Sequence, residues 1–292
     1  GKLTKNSAGR VITVDLTQSV ISDDDLKALE GLHHVERIEL TGPTITDAGL
    51  SHLTGLNSLR IVGLEKTKIT DEGLKTLSSL TNLVVLQIRQ TDITNAGLAH
   101  LLPLTQLKEI DIRSTNIGDE GLVSLGKMKS LRSIKLQRTQ VTDAGIVYLN
   151  DLPNLERLNL ILLNSLGDKT LETVKVHTHL KALELDDTQI TWEGLKNLTS
   201  LKHLERLALR RTLTLDPGLA HLAGLTEMNM LLLRDTGITD AGLAQLSQMT
   251  KLETLDLSEN PVGQSPEAYL PLAGCTQLKQ LDLWRTQTND ES

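Results

Sequence analysis

A repeat constrains this chain more than any other feature. The pattern L-x-x-L-x-L, with Leu, Ile, Val or Met at its apolar places, starts at Val11, Val35, Leu59, Leu83, Leu107, Leu131, Leu155, Leu180, Leu204, Met228, Leu252 and Leu278. Successive starts lie 24 residues apart six times, then 25, 24, 24, 24 and 26. Such a period marks a solenoid, whose units are too small to bury their apolar faces alone and stack to do so. Length by itself would suggest two domains at ~150 residues each. The repeat replaces that estimate with one array. Composition agrees: the 292 residues include no Phe, two Trp and two Tyr. Core volume must then come from Leu, Ile and Val in many thin, similar layers.

Each unit reads alike. The alternating apolar pair, such as Leu86 and Ile88, predicts a short strand with one buried face. Eight residues after the first apolar place stands Thr in most units: Thr67, Thr91, Thr115, Thr139, Thr188, Thr212, Thr236 and Thr286. A β-branched residue follows, and then T-D-x-G-L, as in Thr70 to Leu74. Thr before acidic residues is a helix start, the hydroxyl capping an N–H and the carboxylates facing the positive end of the dipole. Leu74, Leu77 and Leu80 fall on one face of that helix. The prediction is an α/β, right-handed solenoid, with parallel strands on a concave face and short helices on the convex one.

On these units the chain resembles the leucine-rich repeat family, over roughly residues 11–286. It is most similar to the cysteine-containing branch and its bacterial 24-residue relatives. One departure is Thr where the family commonly has Asn or Cys. A threonine ladder between coils is expected to replace the asparagine one with fewer bonds per coil; only Asn260 matches the asparagine form. The organisation expected is a partial N-terminal cap at 1–10, eleven units over 11–277, and an incomplete terminal unit and tail at 278–292. Trp284 and the polar tail from Gln287 to Ser292 either cover the last coil or precede further chain.

Three units are irregular. Unit 155–179 carries Leu163 in the Thr place, lacks the helix-start glycine and has His177 where Leu or Met is usual. His177 is expected to be a partly exposed ring, the alternative being a buried neutral one with a backbone partner. Unit 204–227 has Pro217 at a tolerated helix-start position. Unit 252–277 has Pro261, Pro266 and Pro271, with Cys275 in an inward place as a small buried hydrophobe.

Several function classes recede. No apolar run reaches the ~20 residues of a membrane helix. The formal charge is −7, from 30 basic and 37 acidic residues, so no nucleic-acid footprint is expected. A single Cys allows no internal disulfide and leaves the compartment open. The chain starts at Gly1 without a signal-like segment and reads as trimmed or mature. No G-x-S-x-G, H-E-x-x-H, Walker A, G-x-G-x-x-G or C-x-x-C motif occurs. No catalytic residue, cofactor or metal site is expected. His179 and His203 occupy equivalent places in adjacent coils, but two histidines without a third ligand make a poor metal site.

The inner wall carries more information. Outward places lie two, four, six and seven residues after each first apolar residue. Asp187, Arg211 and Asp235 then align across strands, as do Glu65 and Arg89. Such rows either satisfy one another on a solvated sheet or form a recognition surface. Arginines beside exposed aliphatic residues suit the second reading. The candidate ligand-binding residues are Arg89, Arg113, Arg138, Ile161, Leu162, Arg206, Arg210, Arg234 and Trp284. Ile161 and Leu162 have a competing reading, burial under the longer loop of their own unit.

The resemblance implies a non-catalytic scaffold that binds a protein or peptide ligand on the concave face; the sequence leaves the oligomeric state open, with a monomer favoured. One alternative is a structural or assembly module, an ectodomain fragment of a longer surface or receptor-like protein. Another is the substrate-recognition domain of an enzyme complex such as a ubiquitin ligase. An exported or cell-surface location is favoured over the cytoplasm.

Overall fold

The computed structural model describes residues 1–287. The expectation that the tail covers the last coil falls on Thr288 to Ser292, outside the described residues. Two compact units are present: Gly1–Gln140 with Asp151–Asn154, and Val141–Asn150 with Leu155 onward. In the first unit, β1 (Lys2–Lys5) and β2 (Val11–Asp15) form an antiparallel pair. Parallel strands follow in chain order: β3 (Arg37–Thr41), β4 (Ile61–Glu65), β5 (Val85–Gln87), β6 (Glu109–Asp111) and β7 (Ser133–Lys135). The second unit repeats the arrangement with β8 (Arg157–Asn159), β9 (Ala182–Glu184), β10 (Arg206–Ala208), β11 (Met230–Leu232), β12 (Thr254–Asp256) and β13 (Gln280–Asp282). The register pairs each repeat position with its counterpart in the next coil, as Arg206 pairs with Met230. Each return segment is a short α-helix, such as Asp71–Leu77, or a 3₁₀ helix, such as Gly97–Leu101.

The buried layers are almost entirely Leu, Ile and Val; Leu74, Leu77 and Leu80 are all inside. Most of the repeated threonines are buried too, but they do not form a ladder between coils. Thr67 Oγ1 donates to Leu64 O at 2.8 Å, Thr115 Oγ1 to Ile112 O at 2.6 Å and Thr188 Oγ1 to Leu185 O at 2.6 Å, each within its own coil. The short hydroxyl mainly meets the carbonyl three residues back; at Thr236 it also lies 3.2 Å from Asn260 Oδ1, one coil on. Asn260 has the longer reach and does tie two coils. Its Oδ1 accepts from Thr236 N at 3.0 Å and Ile238 N at 3.1 Å, while Nδ2 donates to Leu233 O at 2.6 Å and Leu257 O at 3.0 Å.

The tie between most coils is made instead by the aspartate of T-D-x-G-L. Asp47 accepts from Thr70 N at 2.8 Å and from Thr70 Oγ1 at 2.6 Å, one coil on. The same pair of bonds joins Asp23 to Thr46, Asp71 to Thr94, Asp168 to Thr191 and Asp216 to Thr239. The threonine hydroxyl also caps its own helix, as Thr46 does by accepting from Ala48 N at 3.3 Å. Asn and Asp also cap helices well, but an ionised Asp has no donor. Thr accepts and donates at once through a single oxygen.

The rung explains the glycine. A Cβ at Gly73 would stand 2.4 Å from Asp47 Oδ1, and one at Gly97 would stand 2.2 Å from Asp71 Oδ1. In the unit that lacks this glycine, Thr170 takes its place and donates to Asp143 Oδ1 at 2.6 Å. That coil is closed, and His177 is buried within it, contrary to the exposed ring expected from its irregular sequence.

Candidate functional site

Outward strand positions of the second unit build a wall around Ala208. Along β10 it is flanked by Arg206, with Arg210 just beyond the strand; across the sheet it pairs with Glu184 and Leu232. Ala182 and Ala208 are small, and both are buried by their larger neighbours. The result is a cavity of about 190 Å³ lined by Ile161, Glu184, Asp186, Arg206, Arg210, Met230 and Leu232, among others. Three of the sequence candidates, Ile161, Arg206 and Arg210, therefore share one site. Ile161 is half-buried there and lines the cavity.

Charges around the cavity differ in how they are held. Arg210 Nε donates to Asp256 Oδ2 at 3.0 Å, and its Nη1 lies 3.7 Å from Asp186 Oδ2. Asp256 is further fixed by Ser258 Oγ at 2.6 Å. Burial raises the Asp186 carboxyl above its usual range, against the hydrogen bond from Arg210 N at 2.8 Å. Arg211 donates to Asp187, and that hydrogen bond holds the Asp187 carboxyl below its ordinary value. Asp235 acts on Arg211 only through its field, so the expected three-residue row is one pair with a distant neighbour. Arg206 is exposed and has no ion pair among the described residues.

A second group of candidates meets in the first unit. Arg89, Arg113 and Arg138 line a cavity of about 220 Å³ with Gln90, Ser114 and Gln137. Arg89 is hydrogen-bonded to Glu65. Arg113 grips the buried Asp111 through Nε at 2.8 Å and Nη2 at 2.6 Å. Arg138 is exposed, without an ion pair among the described residues. Nearby on β3, burial raises the Glu39 carboxyl, whose ion pair with Arg37 at 2.8 Å opposes that rise.

Arg138 and Leu162 do not project from strands, as the sequence reading had supposed. Position seven is the left-handed residue of the turn after each strand, with φ of 56° at Arg138 and 59° at Leu162. The third cluster is Arg234 with Trp284. The Arg234 guanidinium sits 5.0 Å from the indole centroid, Arg285 packs at 4.4 Å, and Arg234 Nη2 donates to Glu259 at 2.9 Å. Trp284 is 51% exposed, so this stack remains open to solvent. His179 and His203 stack with centroids 6.4 Å apart. Among the described residues no group of three His, Cys, Asp or Glu side chains converges as a metal site. Cys275 is buried, which pushes its thiol up.

The Asp–Thr rungs and the exposed Arg157 of β8 were absent from the sequence candidates. The rungs had a signal, Asp recurring one residue after the capping Thr. It was read as a favourable charge at a helix end, and its reach to the next coil needed coordinates.

The "Leucine Rich repeat" family profile matches residues 104–126, 176–199 and 248–265. Among curated proteins no sequence matches this one. An internalin from Listeria monocytogenes is similar in structure, with 22% identity and a TM-score of 0.65 over 98% of this chain and 87% of its own. The leucine-rich repeat ectodomain of the Arabidopsis receptor kinase HAESA, solved with an extended IDA peptide hormone, shares 17% identity and a TM-score of 0.67. That match covers 97% of this chain and 48% of the ectodomain chain. A TLR13 complex with ssRNA13 shares 19% identity and a TM-score of 0.63, over 94% of this chain and 43% of its own. At these identities the likeness shows the fold.

Proposed function

We propose that this leucine-rich repeat solenoid is a non-catalytic protein-interaction scaffold that takes a protein or peptide ligand on the strand face of its second unit. One observation carries the reading: the cavity over Ala208. Its apolar surface from Ile161, Met230 and Leu232 is bordered by guanidinium groups, one of them unpaired among the described residues. Small residues beneath larger polar neighbours make a seat for a side chain, and buried anchors dominate most interfaces. HAESA, which shares the fold, was solved with a peptide hormone, which supports the same use of the architecture here. The buried Cys275, its thiol pushed up by burial, is unsuited to act as a nucleophile. A charge of −7 argues for a protein ligand over nucleic acid. The same reading places the protein outside the cell or on its surface, as a monomer.

The test uses the full chain against a bead-bound library of random decapeptides, followed by fluorescence anisotropy on selected peptides. Ala208→Trp fills the cavity from its floor. The expected result is loss of binding with an unchanged circular dichroism spectrum. Full affinity in Ala208→Trp overturns the site.

A further inference from the structure

The same wall presents two guanidinium groups that the fold does not employ. The register places Arg157 of β8 and Arg206 of β10 opposite Ala182 of β9, one on each side. Both are exposed, and neither has an ion-pair partner among the described residues. The other arginines of this wall differ: Arg210, Arg211, Arg234 and Arg285 each meet a carboxylate. Two strand spacings separate Arg157 from Arg206, about 10 Å. Between them Ala182 contributes only a methyl group, buried beneath its larger neighbours. Two planar forks on the strands either side of one alanine suit a carboxylate, which each can grip with paired N–H groups.

The pair adjoins the cavity over Ala208, which Arg206 lines. Charge selects among anions. Glu184 on β9 and Asp186 just past it line the adjoining cavity, and Asp256 on β12 pairs with Arg210 beside it. They would repel a polyphosphate chain and tolerate a single carboxylate. We propose, building on the wall reading above, that the ligand is an acidic peptide segment. An Asp or Glu side chain is clamped between Arg157 and Arg206, and a neighbouring apolar side chain enters the cavity over Ala208.

The experiment sequences the decapeptides selected by the full chain and measures one of them by anisotropy. The clamp requires enrichment of Asp or Glu beside an aliphatic or aromatic residue. Arg157→Ala with Arg206→Ala should then lose roughly ten- to thirtyfold in affinity, the scale of two solvent-facing ion pairs. Changing the peptide's Glu to Gln should lose as much, with little further loss when combined with the double variant. Peptides no richer in acids than the library, or unchanged affinity in the double variant, overturn the clamp. If Ala208→Trp still abolishes binding in that case, the wall reading stands without it. If Ala208→Trp binds normally, or no peptide is selected, both fall. A single-stranded RNA 20-mer that binds, and is released by the double variant while peptides are not, overturns the clamp in favour of nucleic acid.

Discussion

Gly73→Ala should destabilise the protein, although alanine is the better helix former. Inside a helix the exchange gains about 1 kcal/mol from propensity. Here the new Cβ would stand 2.4 Å from Asp47 Oδ1, 3.0 Å from Leu50 Cδ1 and 3.3 Å from Ile69 Cβ. The leucine contact can relax by a few tenths of an ångström. The carboxylate cannot move without releasing Thr70 N and Thr70 Oγ1. Hydrogen bonds to a charged group contribute about 1.5–3 kcal/mol each, and this half-buried pair belongs at the lower end, about 3 kcal/mol together. The net cost is about 2 kcal/mol, a fall of roughly 1 M in the urea midpoint at an m-value of ~2 kcal/mol/M. Gly55→Ala is the control, since a Cβ there meets nothing within 4 Å; its midpoint should hold or rise. In an Asp47→Ala background, Gly73→Ala should cost nothing further. Equal midpoints for Gly73→Ala and Gly55→Ala would refute the reasoning, as would a penalty that persists without Asp47.

Three further outcomes follow from the same geometry. Asn260→Thr should cost about 2–3 kcal/mol, since buried groups at Thr236, Ile238 and Leu233 lose their partner; urea unfolding measures it, and a change under 0.5 kcal/mol would contradict the tie. Leu162→Asn should stabilise by about 0.5–1 kcal/mol, because Asn tolerates the left-handed turn that strains a leucine; a lower midpoint would show that Leu162 packing outweighs the strain. Glu39→Gln should raise stability at pH 7. Burial raises the folded-state value of this acid, so its favourable contribution is full below the unfolded value and is lost as pH rises through the raised one. The gain of the amide should shrink as pH falls toward 4, and a gain independent of pH would exclude titration of Glu39 as its source.

Much of this was legible in the residues. Period 24 set the coil, the L-x-x-L-x-L triplet set the strand and its buried face, and the capping threonines set the helix starts, because each depends on near neighbours. The candidate site was legible only in part. Ile161, Arg206 and Arg210 could be aligned by counting, and the coordinates bring them to one cavity. Counting could not tell that Arg113 is committed to Asp111 while Arg157 is unpaired among the described residues. Both are arginines at outward positions, and their difference is set by which carboxylate a flexible side chain reaches. Counting also placed Arg138 and Leu162 on strands, whereas strand pairing stops short and leaves them in the turn.

The period and the composition already dictate a stack of equal layers. Each coil offers a narrow slot that Leu, Ile and Val fill, and the absence of Phe follows from that width. How coils hold one another emerges only from their packing. The threonine eight places along bonds chiefly within its own coil, to the carbonyl three residues back, and at Thr236 crosses to the next coil where the longer Asn260 meets it. The aspartate after each capping threonine crosses to the next coil, and the glycine exists to let it through. Local pattern encodes what lies within one turn of chain. Contacts between residues 23 or 24 apart depend on how closely two coils approach, and that distance is a property of the packed array.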